Sequence, residues 1–465
     1  MTTRRNFLKN ITAAGAGMVA VGAQPTILGD LSVQPAQFNM SGYAAPKIET
    51  IRIGFIGLGN RGSGAVRRIA NIEGIEIRAL CDKIPEKVAA SQKVLADRSL
   101  PEARTYAGSE NAWKDLCADP GLDLVYICTP WDFHTPMAVT AMLAGKHAAT
   151  EVPAATTLDE CWQLVETSEK TRKHCMMLEN CCYDFFELLT LNMVRNGLFG
   201  ELVHVEGAYI HDLLDSNLSK TAYSDMWRLR ENIGRNGNLY PTHGLGPIAQ
   251  CLDINRGDRM DYLVSMQSLD FNMGPKAREL ASEDNFWNRY IGQPFRGNMN
   301  NSLIKTIKGR TMLIQHDVSS PRPYSRLHIV SGSKAYAQKY PEPGRIALGH
   351  DWITETEMKD LEEKYTTPLV RHVGEIAKKI GGHGGMDFIM DWRLMDCLRN
   401  GLPLDQDVYD AALWSAIAPL SEKSVAKRSA SVKVPDFTRG NWQTNRPVDL
   451  TLEGGATTGV RAVRN

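Results

Sequence analysis

Hydrophobic and polar positions follow two grammars along this chain, and they meet near residue 180. In the first, largely apolar runs at 51–56, 75–82, 122–130, 147–153 and 175–180 read as strands of a parallel sheet, those at 51–56 and 122–130 as buried ones. Between them, stretches at 63–72, 86–96, 111–118, 136–144 and 158–173 carry a helical period, with Gly145 placed to stop the fourth. Repeated strand–helix units of this kind build a doubly wound parallel sheet, whose ligands bind beyond the carboxyl ends of the strands. The loops at 131–134, 151–153 and 180–183 are site candidates by that position alone.

Beyond residue 185 the pattern changes. A helical stretch at 186–196 precedes longer strand-like runs at 202–210, 262–269, 302–307, 311–315 and 327–331, with Lys308-Gly309-Arg310 as a hairpin turn. A polar-rich insertion at 209–240 holds Trp227 and Arg228, a glycine-rich turn at 381–385 precedes a helix at 387–399, and a last long helix spans 405–424. The expected architecture is α/β. An N-terminal Rossmann domain with a doubly wound parallel sheet covers 49–180, and a C-terminal α+β domain with a largely antiparallel sheet covers 181–465.

Composition narrows the function. The 465 residues exceed one ordinary domain. Lys+Arg and Asp+Glu both number 53, so the net charge of zero gives no electrostatic case for nucleic acid or an anionic membrane. Nine Cys are scattered without ligand spacing, so neither a disulfide scaffold nor a metal site is expected, and most read as small buried hydrophobes. The start of the chain departs from the rest. Thr3-Arg4-Arg5-Asn6-Phe7-Leu8-Lys9 followed by an Ala/Gly-rich run at 11–23 reads as a twin-arginine (Tat) signal over 1–30, with a linker at 31–48. Export through the Tat machinery to the periplasm is the expectation.

The chemistry starts at Gly57-Leu-Gly59-Asn-Arg-Gly62, between the first apolar run and the first helix. In that context Gly57 permits a tight turn, Gly59 lets a pyrophosphate approach the backbone, and Gly62 lets helix and strand pack closely. Asp82, about 20 residues on, suits the ribose hydroxyls of NAD and repels a 2′-phosphate.

These motifs, with Ile-Cys-Thr-Pro130, His134 and Glu151-Val-Pro153, resemble the Gfo/Idh/MocA oxidoreductases. In most of those the last motif is Glu-Lys-Pro, and its Lys often moves a proton. Here Val152 stands in that place. Together with Glu179-Asn-Cys-Cys-Tyr183, His211-Asp212, Trp227-Arg228, Asn238-Leu-Tyr-Pro-Thr-His-Gly244, the segment at 320–326 and Gly382-His-Gly-Gly-Met-Asp387, the pattern resembles glycoside hydrolase family 109 over nearly the whole chain.

That resemblance implies an NAD-dependent glycosidase, with α-N-acetylgalactosaminidase as the characterised activity. The sugar would be oxidised at C3, lose its anomeric group by elimination across C1–C2, take up water and be reduced again, so ordinary paired carboxylates are not needed. The resemblance implies cofactor contacts at Asn60, Arg61, Asp82, Trp131, Asp132, Phe133, His134, Glu151, Val152 and Asn180, beside Gly57, Gly59 and Gly62. It implies sugar contacts at Tyr209, Arg228, Tyr240, Pro241, Thr242, His243 and Tyr324. His243 is the candidate base for the C3 hydroxyl because imidazole titrates near neutrality. Tyr183 is the candidate for C2, Tyr240 a further catalytic hydroxyl, and Arg228 and Arg326 the groups to hold sugar polar atoms. The alternatives are a periplasmic NAD(P)-dependent sugar oxidoreductase and a non-catalytic NAD-linked sugar sensor. A homo-oligomer through the open sheet face is expected by analogy with this fold.

Overall fold

The computed structural model describes residues 38–461, so the expected signal at 1–30 and the linker up to residue 37 lie outside the described residues. The first half runs β1 (Ile51–Ile56), α1 (Asn60–Ile69), β2 (Ile75–Asp82), α2 (Pro85–Ala96), β3 (Arg104–Ala107), α3 (Ala112–Ala118), β4 (Leu124–Ile127), α4 (His134–Leu143), β5 (His147–Thr150), α5 (Leu158–Thr171) and β6 (Cys175–Met177). Its six strands form one sheet in the order β3-β2-β1-β4-β5-β6, and every pairing is parallel. The apolar runs have their expected cause, since β4, β5 and β6 are buried at every position. The strand that the pattern does not show, β3, is a half-exposed edge with no apolar run to read.

The second half continues with α6 (Phe185–Arg195), β7 (Leu202–Ile210), α7 (Leu214–Asn217), α8 (Trp227–Glu231), α9 (Thr242–Cys251), β8 (Met260–Gln267), α10 (Met273–Glu283), β9 (Asn300–Thr306), β10 (Thr311–Asp317), β11 (Ile329–Gly332), β12 (Ala335–Gln338), β13 (Arg345–Leu348) and β14 (Asp351–Trp352). It ends with α11 (Glu355–Tyr365), α12 (Pro368–Ile380), α13 (Met386–Asn400), α14 (Val408–Ala426) and β15 (Val432–Lys433). The sheet order is β14-β13-β12-β11-β7-β10-β9-β8-β15, antiparallel throughout except for the β7–β10 pair. Strict alternation of buried and exposed positions in β9 shows one face packed and one open. The Lys308–Arg310 turn joins β9 to β10, and Gly309 takes φ +86° there.

The late helices return to the first sheet. α13 packs on α1 and β1, while α14 lies against α5 and β6 on one side and β8 on the other. Val460 bridges to Ile72, and the Arg461 guanidinium donates to the carbonyls of Ala70 at 2.8 Å and Ile72 at 2.5 Å. The carboxyl ends of the parallel strands face the start of α9 and the carboxyl end of β7, the central strand of the large sheet.

Candidate active site

The glycines of the first turn occupy their positions for three separate reasons. Gly57 has φ +85°, and a side chain there would meet the Cys128 carbonyl oxygen at 2.6 Å. A side chain at Gly62 would sit 1.8 Å from the Gly57 oxygen. One at Gly59 would meet only the Lys87 ammonium, at 3.8 Å, so the space above Gly59 is open for a phosphate. The first turn of α1 holds no acid and no side-chain cap, which leaves its N–H groups for an anion. Asp82 accepts from Leu58 N–H at 2.7 Å and Ile84 N–H at 2.9 Å. Each oxygen keeps a lone pair for a ribose hydroxyl. The residues present fit NAD.

Beyond this loop, Arg61, Glu151 and Asn180 converge on Asp387. Arg61 donates to Glu151 at 2.8 Å and to Asp387 at 3.0 Å, and Asn180 donates to the other Asp387 oxygen at 2.5 Å. Arg68 lies 3.4 Å from Asp387 and donates to Asp391 at 2.7 Å. Burial pushes the Asp387 carboxyl up, but His383, Arg61 and Arg68 outweigh it and hold it far below the usual carboxylate range. Asp387 belongs to the glycine-rich motif, yet nothing in spacing assigns it this role.

The sugar-side residues gather around one imidazole. His243, in the first turn of α9, presents Nδ1 to the Glu179 carboxylate at 2.7 and 3.0 Å. Glu179 is fully buried. Burial pushes its carboxyl up, yet the His243 ring and the Cys181 N–H pull it further down, so it stays ionised. That pairing fixes the Nδ1–H tautomer and leaves Nε2 as the free base, 3.5 Å from the Tyr240 hydroxyl. Glu179 falls inside the 179–183 motif, where residue spacing assigns it no role; the signal that points to it is its place just after the last parallel strand.

Above His243 stands an aromatic wall. Tyr240 lies 5.7 Å from Trp131, 4.6 Å from Tyr209 and 4.9 Å from His243, between ring centroids. The Arg228 guanidinium sits 5.2–5.9 Å from the rings of Tyr240, Tyr223, Trp131 and Tyr209. No carboxylate pairs with it among the described residues. Its protein contacts are the hydroxyls of Tyr223, at 3.4 Å, and Tyr209, which leaves its other donors for a ligand. Tyr209 bonds His211 at 3.0 Å, and the half-exposed Tyr324 ring lies 5.0 Å from His211. Pro241 and Thr242 are buried and serve to start α9.

Other expected residues stand elsewhere. Tyr183 does not join the His243 cluster. It is buried in a separate cavity with Arg393, Asp405 and Leu450, and its hydroxyl faces Asp405 at 3.4 Å. Burial and Asp405 push that phenol well above its ordinary range, so it is no base for C2. Arg326 is buried and spends its guanidinium on Asp184 and Glu187, both at 2.6 Å, which removes it as a sugar ligand. His134 bonds the Pro153 carbonyl at 2.6 Å and the Thr129 carbonyl at 2.7 Å, so both ring nitrogens are spent on bracing two loops. Asp132 and Phe133 are exposed at the loop rim, Val152 is buried, and Asn60 donates to the Ala222 carbonyl at 3.3 Å.

Ligand atoms of Glu179, Cys181 and His243 fall within 4.8 Å of one another, a grouping that spacing does not reveal. The 2.7 Å Glu179–His243 contact is hydrogen-bonded, and shorter than the roughly 3.3 Å that two metal bonds of about 2.0 Å would leave. Glu179 and His243 form a hydrogen-bonded pair.

A family model for the C-terminal domain of glycosyl hydrolase 109 matches residues 183–444, and one for the NAD-binding Rossmann fold of the Gfo/Idh/MocA oxidoreductase family matches 51–179. Glycosyl hydrolase family 109 protein 1 of Bacteroides fragilis is 49% identical over 447 residues, covering 92% of this chain and 94% of its own. An alpha-N-acetylgalactosaminidase of Bacteroides fragilis is 50% identical over 415 residues, covering 88% and 97%. Among solved structures, a levoglucosan dehydrogenase in complex with NADH superposes with a TM-score of 0.63 at 17% identity, over 83% of this chain and all of that one. An aldose-aldose oxidoreductase from Caulobacter crescentus gives 0.59 at 18% identity, over 83% and 99%. At such identities these two show the fold alone.

Proposed function

Because the chain belongs to glycosyl hydrolase family 109, we propose that it is an exported α-N-acetylgalactosaminidase that holds NAD and recycles it in each turnover. The observation that carries this reading is the Glu179–His243 pair set beneath Tyr240 and Arg228, beside a loop that fits NAD. Two buried acids beside the cluster, Glu179 and Glu151, are both engaged. Glu179 is fully buried on His243, and Glu151 is buried on Arg61. Neither serves as half of an ordinary glycosidase carboxylate pair.

Bound NAD supplies reversible oxidation of the sugar at C3, which acidifies the hydrogen on C2. His243 Nε2 takes the proton of the C3 hydroxyl while Glu179 stabilises the resulting imidazolium. Burial and the neighbouring Tyr209 push the Tyr240 hydroxyl well above the ordinary phenol range, so it acts as a hydrogen-bond donor to oxygen charge. Arg228 holds the sugar's polar substituents with its free donors. With Tyr183 removed, His211 takes the C2 proton. Burial, then Arg228 and His243, lower its imidazole, which keeps it neutral and able to accept.

The test is turnover of a chromogenic α-N-acetylgalactosaminide in deuterium oxide. Aglycone release with deuterium at C2 and no net nicotinamide reduction is expected. Net reduction without aglycone release overturns the reading in favour of a sugar oxidoreductase, and sugar binding with no turnover favours a sensor.

A further inference from the structure

The insertion between β7 and α9 crosses from the second domain to the mouth of the dinucleotide groove. Three side chains of the first domain meet it there, each from a different element. Asn60, at the start of α1, donates to the Ala222 carbonyl at 3.3 Å. Lys87 of α2 donates to the Ser224 hydroxyl at 3.0 Å. Lys83, in the turn after β2, pairs with Asp225 at 2.7 Å and reaches Glu110 at 3.4 Å. These anchors flank the groove: Asn60 follows Gly59, and Lys83 follows Asp82. Lys87 is also the one side chain near the open space above Gly59.

The backbone of the insertion is bent to make this crossing. Asp225 and Met226 are consecutive non-glycine residues in the left-handed region, at φ +55° and +50°. Such residues cost of order 1–3 kcal/mol each in sparsely populated regions and persist where the surroundings hold them. The next two residues turn inward to the sugar pocket. Trp227 meets Trp131 at 5.3 Å, and Arg228 enters the aromatic wall. One short segment thus spans the cofactor groove with residues 222–226 and builds the sugar pocket with residues 227–228.

We infer that residues 222–226 are a cap over the dinucleotide, latched by Asn60, Lys83 and Lys87, that retains the cofactor between turnovers. The inference rests on the NAD reading of the groove. It assigns to Lys83, Lys87, Ser224 and Asp225 a binding role that the motif in the first turn does not contain. Escape of the dinucleotide requires the latches to open, and opening them withdraws Arg228 from the sugar pocket. Retention and substrate binding are therefore coupled through the chain itself.

The latches are exposed contacts, so each single one contributes little, roughly 0.2–1 kcal/mol, or a 1.4- to 5-fold change in rate. The test measures the dissociation rate of NAD from holoprotein by chase with excess unlabelled NAD, with no glycoside present. Lys83→Ala and Asp225→Ala are each expected to raise that rate 1.4- to 5-fold, and the double variant no more than either alone. Asp225 is the deciding position because it stands on the cap and not on the groove floor. If Asp225→Ala releases NAD at the wild-type rate, the cap is overturned, and an effect confined to Lys83→Ala means direct contact of that lysine with the ligand. Unchanged melting of Asp225→Ala relative to wild type, both freed of NAD, would show that faster release is not a loss of folding. Failure of the wild-type protein to hold NAD at all overturns the cofactor reading itself, an outcome separate from equal release by wild type and variants.

Discussion

Glu179 shows how much one buried carboxylate decides. It is fully buried, its ionisable partner is His243, and the 2.7 Å bond selects which imidazole nitrogen faces the pocket. Glu179→Gln keeps the volume but removes the charge that favours Nδ1–H and the imidazolium. A fall in kcat of about 10²- to 10⁴-fold with little change in KM is expected from steady-state kinetics, by the logic of a buried acid behind a catalytic histidine. Tyr183 is the contrast. Its hydroxyl is committed to Asp405, so Tyr183→Phe should leave kcat within about twofold and cost stability on the order of 1 kcal/mol in a urea melt. Both residues belong to one short motif, Glu179 to Tyr183, and residue type alone favours the tyrosine. The turn over 180–183 rotates them to opposite sides, and a one-dimensional string does not carry that rotation.

At the scale of elements, the contact of α1 with α13 joins the two halves of the chain through charge. Asp387 receives Arg61, Arg68, His383 and Asn180 in a nearly dry setting. Asp387→Asn should cost about 3 kcal/mol, the low end for breaking a buried pair, because Arg61 keeps Glu151 and Arg68 keeps Asp391. The pH dependence has a definite sign. The folded carboxyl is held below its unfolded value of about 3.9, so its contribution is fully present above that value and is lost as pH falls through the folded one. Urea melts of wild type and variant should differ by a constant amount above about pH 5, and the difference should narrow progressively as pH falls below about 4. The sequence shows most strands of the parallel sheet because their apolar positions cluster, and misses the half-exposed edge β3. It gives no helical signal for α9, where Gly244, Gly246 and Pro247 count against a helix. Those glycines are there because a Cβ at Gly244 would strike the Ala208 backbone at 2.1 Å, and one at Gly246 the Cys182 sulfur at 2.9 Å. Close packing against β7 selected residues that local propensity counts against a helix.

At the scale of the whole molecule, the proposed export gives the start of the chain a testable role: Arg4→Lys with Arg5→Lys should hold the protein in the cytoplasm, as cell fractionation would register. The other end acts on folding. Asp396 is fully buried and accepts backbone N–H bonds from Ala456 at 2.8 Å, Thr458 at 3.2 Å and Thr457 at 3.3 Å. The Thr458 carbonyl accepts from Trp392 at 3.0 Å, and Arg461 covers the carbonyls between α1 and β2. Removing residues from 456 onward would strip a buried carboxylate of three donors worth roughly 1.5–3 kcal/mol each, partly replaced by water. At about 2–4 °C per kcal/mol, Tm should fall by roughly 5–10 °C. Among the described residues, the tail touches α13 and the back of α1, and none of its contacts reaches the cap at 222–226. The truncated protein should therefore lose the same stability with or without bound NAD, while a cap variant alters only how fast the cofactor leaves. Melting both proteins in excess NAD and after its removal separates the two roles.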